Sequence, residues 1–150
     1  MIRVYLDTSV YNRPFDDQTQ KKIALETEAV KLIFQMIEEK SIILVSSEAL
    51  ELENRKNPYL LQKLIMSRYL QKATLYQPLN LAIKERANEL TQQGIKQFDA
   101  YHVACAEIIQ ADYFLTCDKR LISRCQNLSL KTLNPVNFIL DVCDENEPNP

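Results

Sequence analysis

Short apolar runs alternating with helix-length segments constrain this chain more than any other feature. Residues 2–6 and Ile42-Ile43-Leu44-Val45 are too short for helices and have the continuous apolar character of buried strands. Between them, from Thr19 to about Lys40, Ile23, Leu25, Ala29, Val30, Ile33, Phe34 and Ile37 recur mostly three and four apart, the period of an amphipathic helix. Ser46 or Ser47 is placed to cap the helix after the second strand. Pro58 separates that helix from one at about 59–71, whose apolar face carries Leu60, Leu61, Leu64, Ile65 and Tyr69. Ala73-Thr74-Leu75-Tyr76 reads as a third strand closed by Pro78, and a helix over about 79–93 ends at Gly94, the only glycine. A helix from about Gln97 to Gln110, a strand over 113–116 and a short strand over 128–132 follow. Pro135 then suits the first turn of a last helix, Val136 to about Val142.

Strands separated by helices call for crossovers, so the expected fold is α/β. It is a three-layer α/β/α sandwich around a central parallel sheet of about four to five strands. A chain of 150 residues suits one domain and buries roughly 68–70% of its unfolded surface. That domain is expected over 1–141. Residues 142–150, with three acids and two prolines, read as an acidic, disordered tail.

Composition narrows the function classes. No apolar run approaches the ~20 residues of a membrane span, and no signal-peptide pattern opens the chain, so the expected location is cytoplasmic with no membrane partner. Cys105, Cys117, Cys125 and Cys143 include no C-x-x-C pair, which argues against a zinc site or a disulfide framework. All 18 Lys and Arg precede residue 132; with Asp141, Asp144, Glu145 and Glu147 set aside, they face 16 acids. The body is therefore mildly basic, which permits a phosphate-bearing partner without demanding one.

Four acids occupy the positions where an α/β sheet gathers its ligands: Asp7 after the first strand, Asp118 after the fourth, Asp99 at a helix start and Glu53 on the helix after the second strand. Each has a plainer use. Asp7 can be an N-cap, Asp118 a turn residue, and Asp99 is favoured by the helix dipole. Three independent caps need not converge, whereas this topology brings Asp7, Asp99 and Asp118 to one edge. A divalent cation shared among them is the expected occupant. Helical spacing alone does not decide which of Glu48, Glu51 and Glu53 faces inward.

Three blocks make a resemblance specific. They are Val4-Tyr5-Leu6-Asp7-Thr8-Ser9-Val10, then Phe98-Asp99-Ala100-Tyr101-His102-Val103-Ala104-Cys105-Ala106, then Ala111 through Leu121 with Thr116-Cys117-Asp118 inside. In order and spacing the chain resembles PIN-domain ribonucleases, the family that includes VapC-type toxins, over about residues 2–139. The resemblance assigns the four family acids to Asp7, Glu53 (with Glu51 next best), Asp99 and Asp118, as catalytic residues and as ligands of Mg²⁺ or Mn²⁺. Thr8 and Thr116 match supporting hydroxyls. Cys117 departs from the asparagine more usual before the fourth acid, and the middle of the chain, roughly 54–97, matches poorly.

The resemblance implies endonucleolytic cleavage of RNA leaving a 5′ phosphate, and for toxin members an antitoxin partner and a homodimer. Lys119, Arg120 and Arg124 are the first candidates for RNA contacts; Arg55, Lys56, Lys63 and Arg68 are the second. His102, the only histidine, is read as a packing or capping residue. Two rivals remain. A non-catalytic PIN-like binding module would keep the fold and lose the acids. A haloacid-dehalogenase-like phosphatase would need a second acid two residues after Asp7, where Ser9 stands. If the helix at 59–71 and the one before it, with Leu50 and Leu52, project beyond the sheet, their apolar surface marks a two-fold contact; otherwise those leucines pack on the domain body.

Overall fold

Val4, Tyr5 and Leu6 are fully buried because their strand lies at the centre of the sheet, between two neighbours. The computed structural model describes residues 1–146. The first half comprises β1 (Arg3–Leu6), α1 (Thr8–Asn12), a 3-10 turn (Arg13–Phe15), α2 (Lys21–Glu38), β2 (Ile43–Ser47), α3 (Glu48–Arg55) and α4 (Leu60–Leu70). The second half comprises β3 (Leu75–Gln77), α5 (Leu81–Gln92), α6 (Gln97–Ile108), β4 (Tyr113–Leu115), α7 (Lys119–Arg124), β5 (Lys131–Leu133) and α8 (Pro135–Asn146). Among the described residues the strands form one five-stranded sheet in the order β3-β2-β1-β4-β5. Every pairing is parallel, with Val4 opposite Leu44 on one side and Tyr113 on the other. Helices cover both faces, giving the three-layer α/β/α sandwich and explaining why the central strands are apolar throughout.

The direction of α6 fixes where the acids go. Arg3 donates to the carbonyl of Ile109 at 3.0 Å, and the Asp112 amide donates to the Arg3 carbonyl at 2.8 Å. The end of α6 therefore lies at the amino-terminal edge of β1. Its first turn, which holds Asp99, lies about 18 Å away along the helix, at the edge where β1, β2 and β4 end.

Both edge strands sit later in the chain than the apolar runs suggest. The expected strand at 73–76 is β3 at Leu75–Gln77, and that at 128–132 is β5 at Lys131–Leu133. The Ala73 amide still bonds Leu70, and that of Leu128 bonds Cys125, so these residues finish the preceding helical turns before pairing begins. At the other end, α8 passes the expected boundary at Asp141 and continues to Asn146. Asp141 accepts from Tyr113 Oη at 2.7 Å and Lys131 Nζ at 2.8 Å, and buried Phe138 meets Tyr113 edge-on at 4.9 Å. Residues 142–146 of the expected tail continue this helix, and 147–150 lie outside the described residues.

Helix α4 divides along its length. Met66 is buried and Tyr69 stacks on Phe34 at 4.0 Å, which ties the second half to α2. Tyr59, Leu60, Leu61 and Leu64, at its start, are each more than half exposed.

Candidate functional site

Asp7 follows β1 directly and is held from both directions. Its amide donates to the Leu115 carbonyl at 3.0 Å, and its Oδ1 accepts the Ser9 amide at 2.5 Å, which makes it the N-cap of α1. The bland and the functional placements therefore coincide. The side chain is almost wholly buried, and burial pushes its carboxyl above the usual range, against the opposing pull of His102, the Thr116 hydroxyl and Ser9. Ser9 also supports the neighbouring loop, since its Oγ accepts the Cys117 amide at 3.0 Å.

Asp99 lies in the first turn of α6, whose N-cap position is Lys96, so it does not cap the helix. Its carboxyl is pushed up to about 6, first by burial and then by the negative charge of Asp7; Asp118 and Glu53 add to the rise and His102 opposes it. The charges of three other acids thus bear on this one carboxyl. Asp118 is exposed and caps α7, its Oδ1 accepting the amides of Arg120 at 2.9 Å and Leu121 at 3.3 Å. Buried Thr116 orients it by accepting the Asp118 amide at 3.0 Å.

The geometry separates the three glutamates that periodicity leaves open. Glu48 accepts the Leu79 amide at 2.8 Å and Glu51 accepts from Tyr76 Oη, both toward β3. Glu53 alone turns to the other acids, its Oε1 accepting from Thr8 Oγ1 and meeting His102 Nε2 at 3.2 Å. Burial works against its charge, but the hydrogen bonds from His102 and the Thr8 hydroxyl, with the charge of Lys56, outweigh that and hold its carboxyl below the usual range. His102 is buried, as a packing histidine would be, yet it contacts the site. Behind it stand Tyr5 and Ser47, which sequence reasoning passed over. The available signal was spacing: Tyr5 precedes Asp7 by two on a strand, and His102 follows Asp99 by three on a helix, so each shares a face with an acid.

The donors are all carboxylates, the hard oxygen ligands that Mg²⁺ and Mn²⁺ take. The repulsion felt at Asp99 is what a cation would relieve, so the chemistry of these residues fits the group. Among the described residues, no three His, Cys, Asp or Glu side chains form a ready donor set. Two of the four acids already serve other partners. Asp118 serves its own helix, and Glu53 Oε1 serves Thr8 and His102.

Basic residues flank the acids on two sides. Lys119, Arg120 and Arg124 are exposed on α7 beside Asp118. Arg55 and Lys56 are exposed at the end of α3, and Lys56 Nζ sits 5.0 Å above the ring of Phe98, next to Asp99. Lys63 turns back on the protein, donating to the Arg55 carbonyl at 3.1 Å.

The PIN domain family model matches residues 4–126, a span that contains all four acids. Among solved structures, a chain in the crystal structure of VapBC2 from Rickettsia felis, bound to a DNA fragment from their promoter, is similar in fold, with a TM-score of 0.56 and 14% identity. The match covers 87% of this chain and 98% of that one. No curated protein matches the sequence.

Proposed function

The chain belongs to the PIN-domain family, and from that premise we propose that it is a divalent-metal-dependent endoribonuclease that hydrolyses RNA phosphodiesters. The observation that carries the reading is the carboxyl of Asp99, raised to about 6 by burial and by the charges of Asp7, Asp118 and Glu53. Uncompensated acids at the carboxyl edge of a parallel sheet suit cation binding better than structural support.

Asp7, Asp99, Asp118 and Glu53 are the residues that would hold Mg²⁺ or Mn²⁺. Such an ion would offset repulsion of an anionic phosphodiester and make a water more acidic. Each residue then has its own task. Asp7, buried and fixed by two hydrogen bonds, supplies a rigid carboxylate. Asp99 supplies one whose protonation depends on its neighbours. Thr8 and Thr116 orient Glu53 and the Asp118 loop. Lys119, Arg120 and Arg124 on one flank, with Arg55 and Lys56 on the other, suit an RNA strand whose phosphates cross the acids between them. Ser9 is bonded to the Cys117 amide and is not an acid, which leaves the phosphatase reading without support.

The coarser assignments extend outward. VapBC2, the complex that contains a chain of similar fold, supports reading this chain as the toxin of a toxin–antitoxin pair, with an antitoxin as partner. The exposed Tyr59, Leu60, Leu61 and Leu64 support a homodimer, for which light scattering should give twice the 17.5 kDa of the chain. No helix among the described residues is long and apolar enough to cross a membrane, in keeping with a cytoplasmic enzyme. The test of activity is direct: the purified chain should cut an RNA oligonucleotide with Mn²⁺ or Mg²⁺ and stop when EDTA is added. RNA binding without turnover at any metal concentration would instead favour the non-catalytic module.

A further inference from the structure

Of the four acids, Glu53 alone is held by a buried chain of side chains that reaches back into the sheet. His102 Nε2 lies 3.2 Å from Glu53 Oε1, and on the far side of the ring Nδ1 lies 2.7 Å from Tyr5 Oη. Tyr5 Oη is 2.6 Å from Ser47 Oγ, which in turn accepts the Leu50 amide at 3.1 Å. Tyr5, Ser47 and His102 are essentially inaccessible to solvent. The ring planes are fixed as well, with Tyr5 edge-on to His102 at 5.8 Å and stacked on Phe114 at 5.3 Å.

For a neutral imidazole, one arrangement of protons satisfies every link. Tyr5 donates to Nδ1, Nε2 carries the ring proton and donates to Glu53, and the Ser47 hydroxyl donates to Tyr5 while accepting from Leu50. The other tautomer would set the Nε2 lone pair against a carboxylate oxygen, two acceptors in contact with no donor between them.

We propose that Tyr5 and His102 are positioning residues: Tyr5 and Glu53 together hold His102 as the Nε2–H tautomer, and His102 with Thr8 occupies Glu53 Oε1 so that Oε2 is the oxygen that would be left for a cation. The presentation of Oε2 rests on reading the acids as a cation site; the tautomer lock does not. Groups that orient a ligand in this way typically set metal affinity by 10–100-fold.

Because His102 is the only histidine, nitrogen NMR of the metal-free chain labelled at histidine reads the lock without ambiguity. The expected spectrum has Nε2 protonated and Nδ1 bare but hydrogen-bonded, and Tyr5→Phe should shift the Nδ1 resonance to that of an imine nitrogen without a hydrogen-bond donor. A protonated Nδ1 in the wild type, in either the other tautomer or an imidazolium, would overturn the lock. So would an unchanged spectrum in Tyr5→Phe.

The second arm uses Mn²⁺ alone, its binding to the whole chain followed by electron paramagnetic resonance. His102→Leu should weaken binding by about 10–100-fold, whereas His102→Gln, which keeps an N–H donor for Glu53, should recover most of it. Equal loss in both variants, or none in a folded His102→Leu, would overturn the positioning role. If His102→Leu does not fold, Tyr5→Phe takes its place, with a smaller loss expected and wild-type affinity as the contrary result. Failure of the wild type to bind Mn²⁺, with the tautomer as expected, would overturn the cation reading and leave the lock standing.

Discussion

Glu53 and Asp118 reach the site from opposite neighbours of β1, one after β2 and one after β4, and they are held in opposite ways. Glu53 is partly buried and bonded by side chains from three other elements: Thr8 on α1, His102 on α6 and, through His102, Tyr5 on β1. Asp118 is exposed and bonded only to its own loop and helix. An acid built into a buried network has one position, and its partners offset the desolvation that would otherwise neutralise it. An acid that caps a short helix can exchange those amide bonds for water or a cation at little cost. The site therefore pairs a preset carboxylate with an adaptable one.

The largest effects should come from those middle acids. Asp7→Asn and Asp99→Asn are expected to abolish metal-dependent RNA cleavage, measured with purified folded protein. Asp99→Asn should at the same time stabilise the metal-free chain. The folded carboxyl of Asp99 titrates at about 6 against an ordinary 3.8, so the folded state binds more protons than the unfolded one between those values. This group's contribution to stability therefore falls as pH rises from about 4 to 6 and stays low above. Discounted for the solvent that reaches a half-buried group, the gain from Asp99→Asn at pH 7 is on the order of 1 kcal/mol. Thermal melts at pH 4.5 and 7 should show a larger gain at the higher pH.

Next in size is the contrast between the two candidate glutamates. Glu53→Gln should lose most activity, because it weakens a bond to His102 and removes a charge that Asp99 feels. Glu51→Gln should be mild, since Glu51 faces Tyr76. The reverse order in cleavage assays would mean that the wrong glutamate has been placed in the site.

That choice shows where the sequence runs out. The central strands were legible because burial on both faces leaves an unbroken apolar run, as at Val4-Tyr5-Leu6. The edge strands were misplaced by a few residues because pairing, rather than composition, fixes where they begin. The end of α8 at Asn146 lies beyond the last apolar position, Val142, so no periodic pattern marks it. The positions of Asp7, Asp99 and Asp118 follow from strand ends and a helix start, which local pattern reveals. The link from Glu53 to His102 spans 49 residues, and no local pattern carries it.

Asp118 offers a sharper cut through the comparison, because its structural and chemical roles can be separated. Asparagine caps helices as well as aspartate does, so Asp118→Asn should keep stability while lowering activity. Asp118→Ala should lower both, with a stability loss of about 1 kcal/mol in denaturant unfolding. If Asp118→Asn cleaves RNA like the wild type, this residue is a cap and nothing more.

The smallest effects belong to the basic flanks. Replacing Lys119, Arg120 or Arg124 by alanine should weaken RNA binding modestly. Each lost phosphate contact should also reduce the slope of log affinity against log salt by about 0.7. An unchanged slope after all three substitutions would move the RNA path to Arg55 and Lys56.

The central claim is that mutual repulsion among these acids is the counterpart of a cation, and carbon NMR of the Asp99 carboxyl tests it most directly. Titrated without metal, Asp99 should show a midpoint near 6, and saturating Mg²⁺ should move that midpoint to well below 4. An Asp99 that titrates near 4 in the metal-free chain and does not respond to Mg²⁺ would contradict the account.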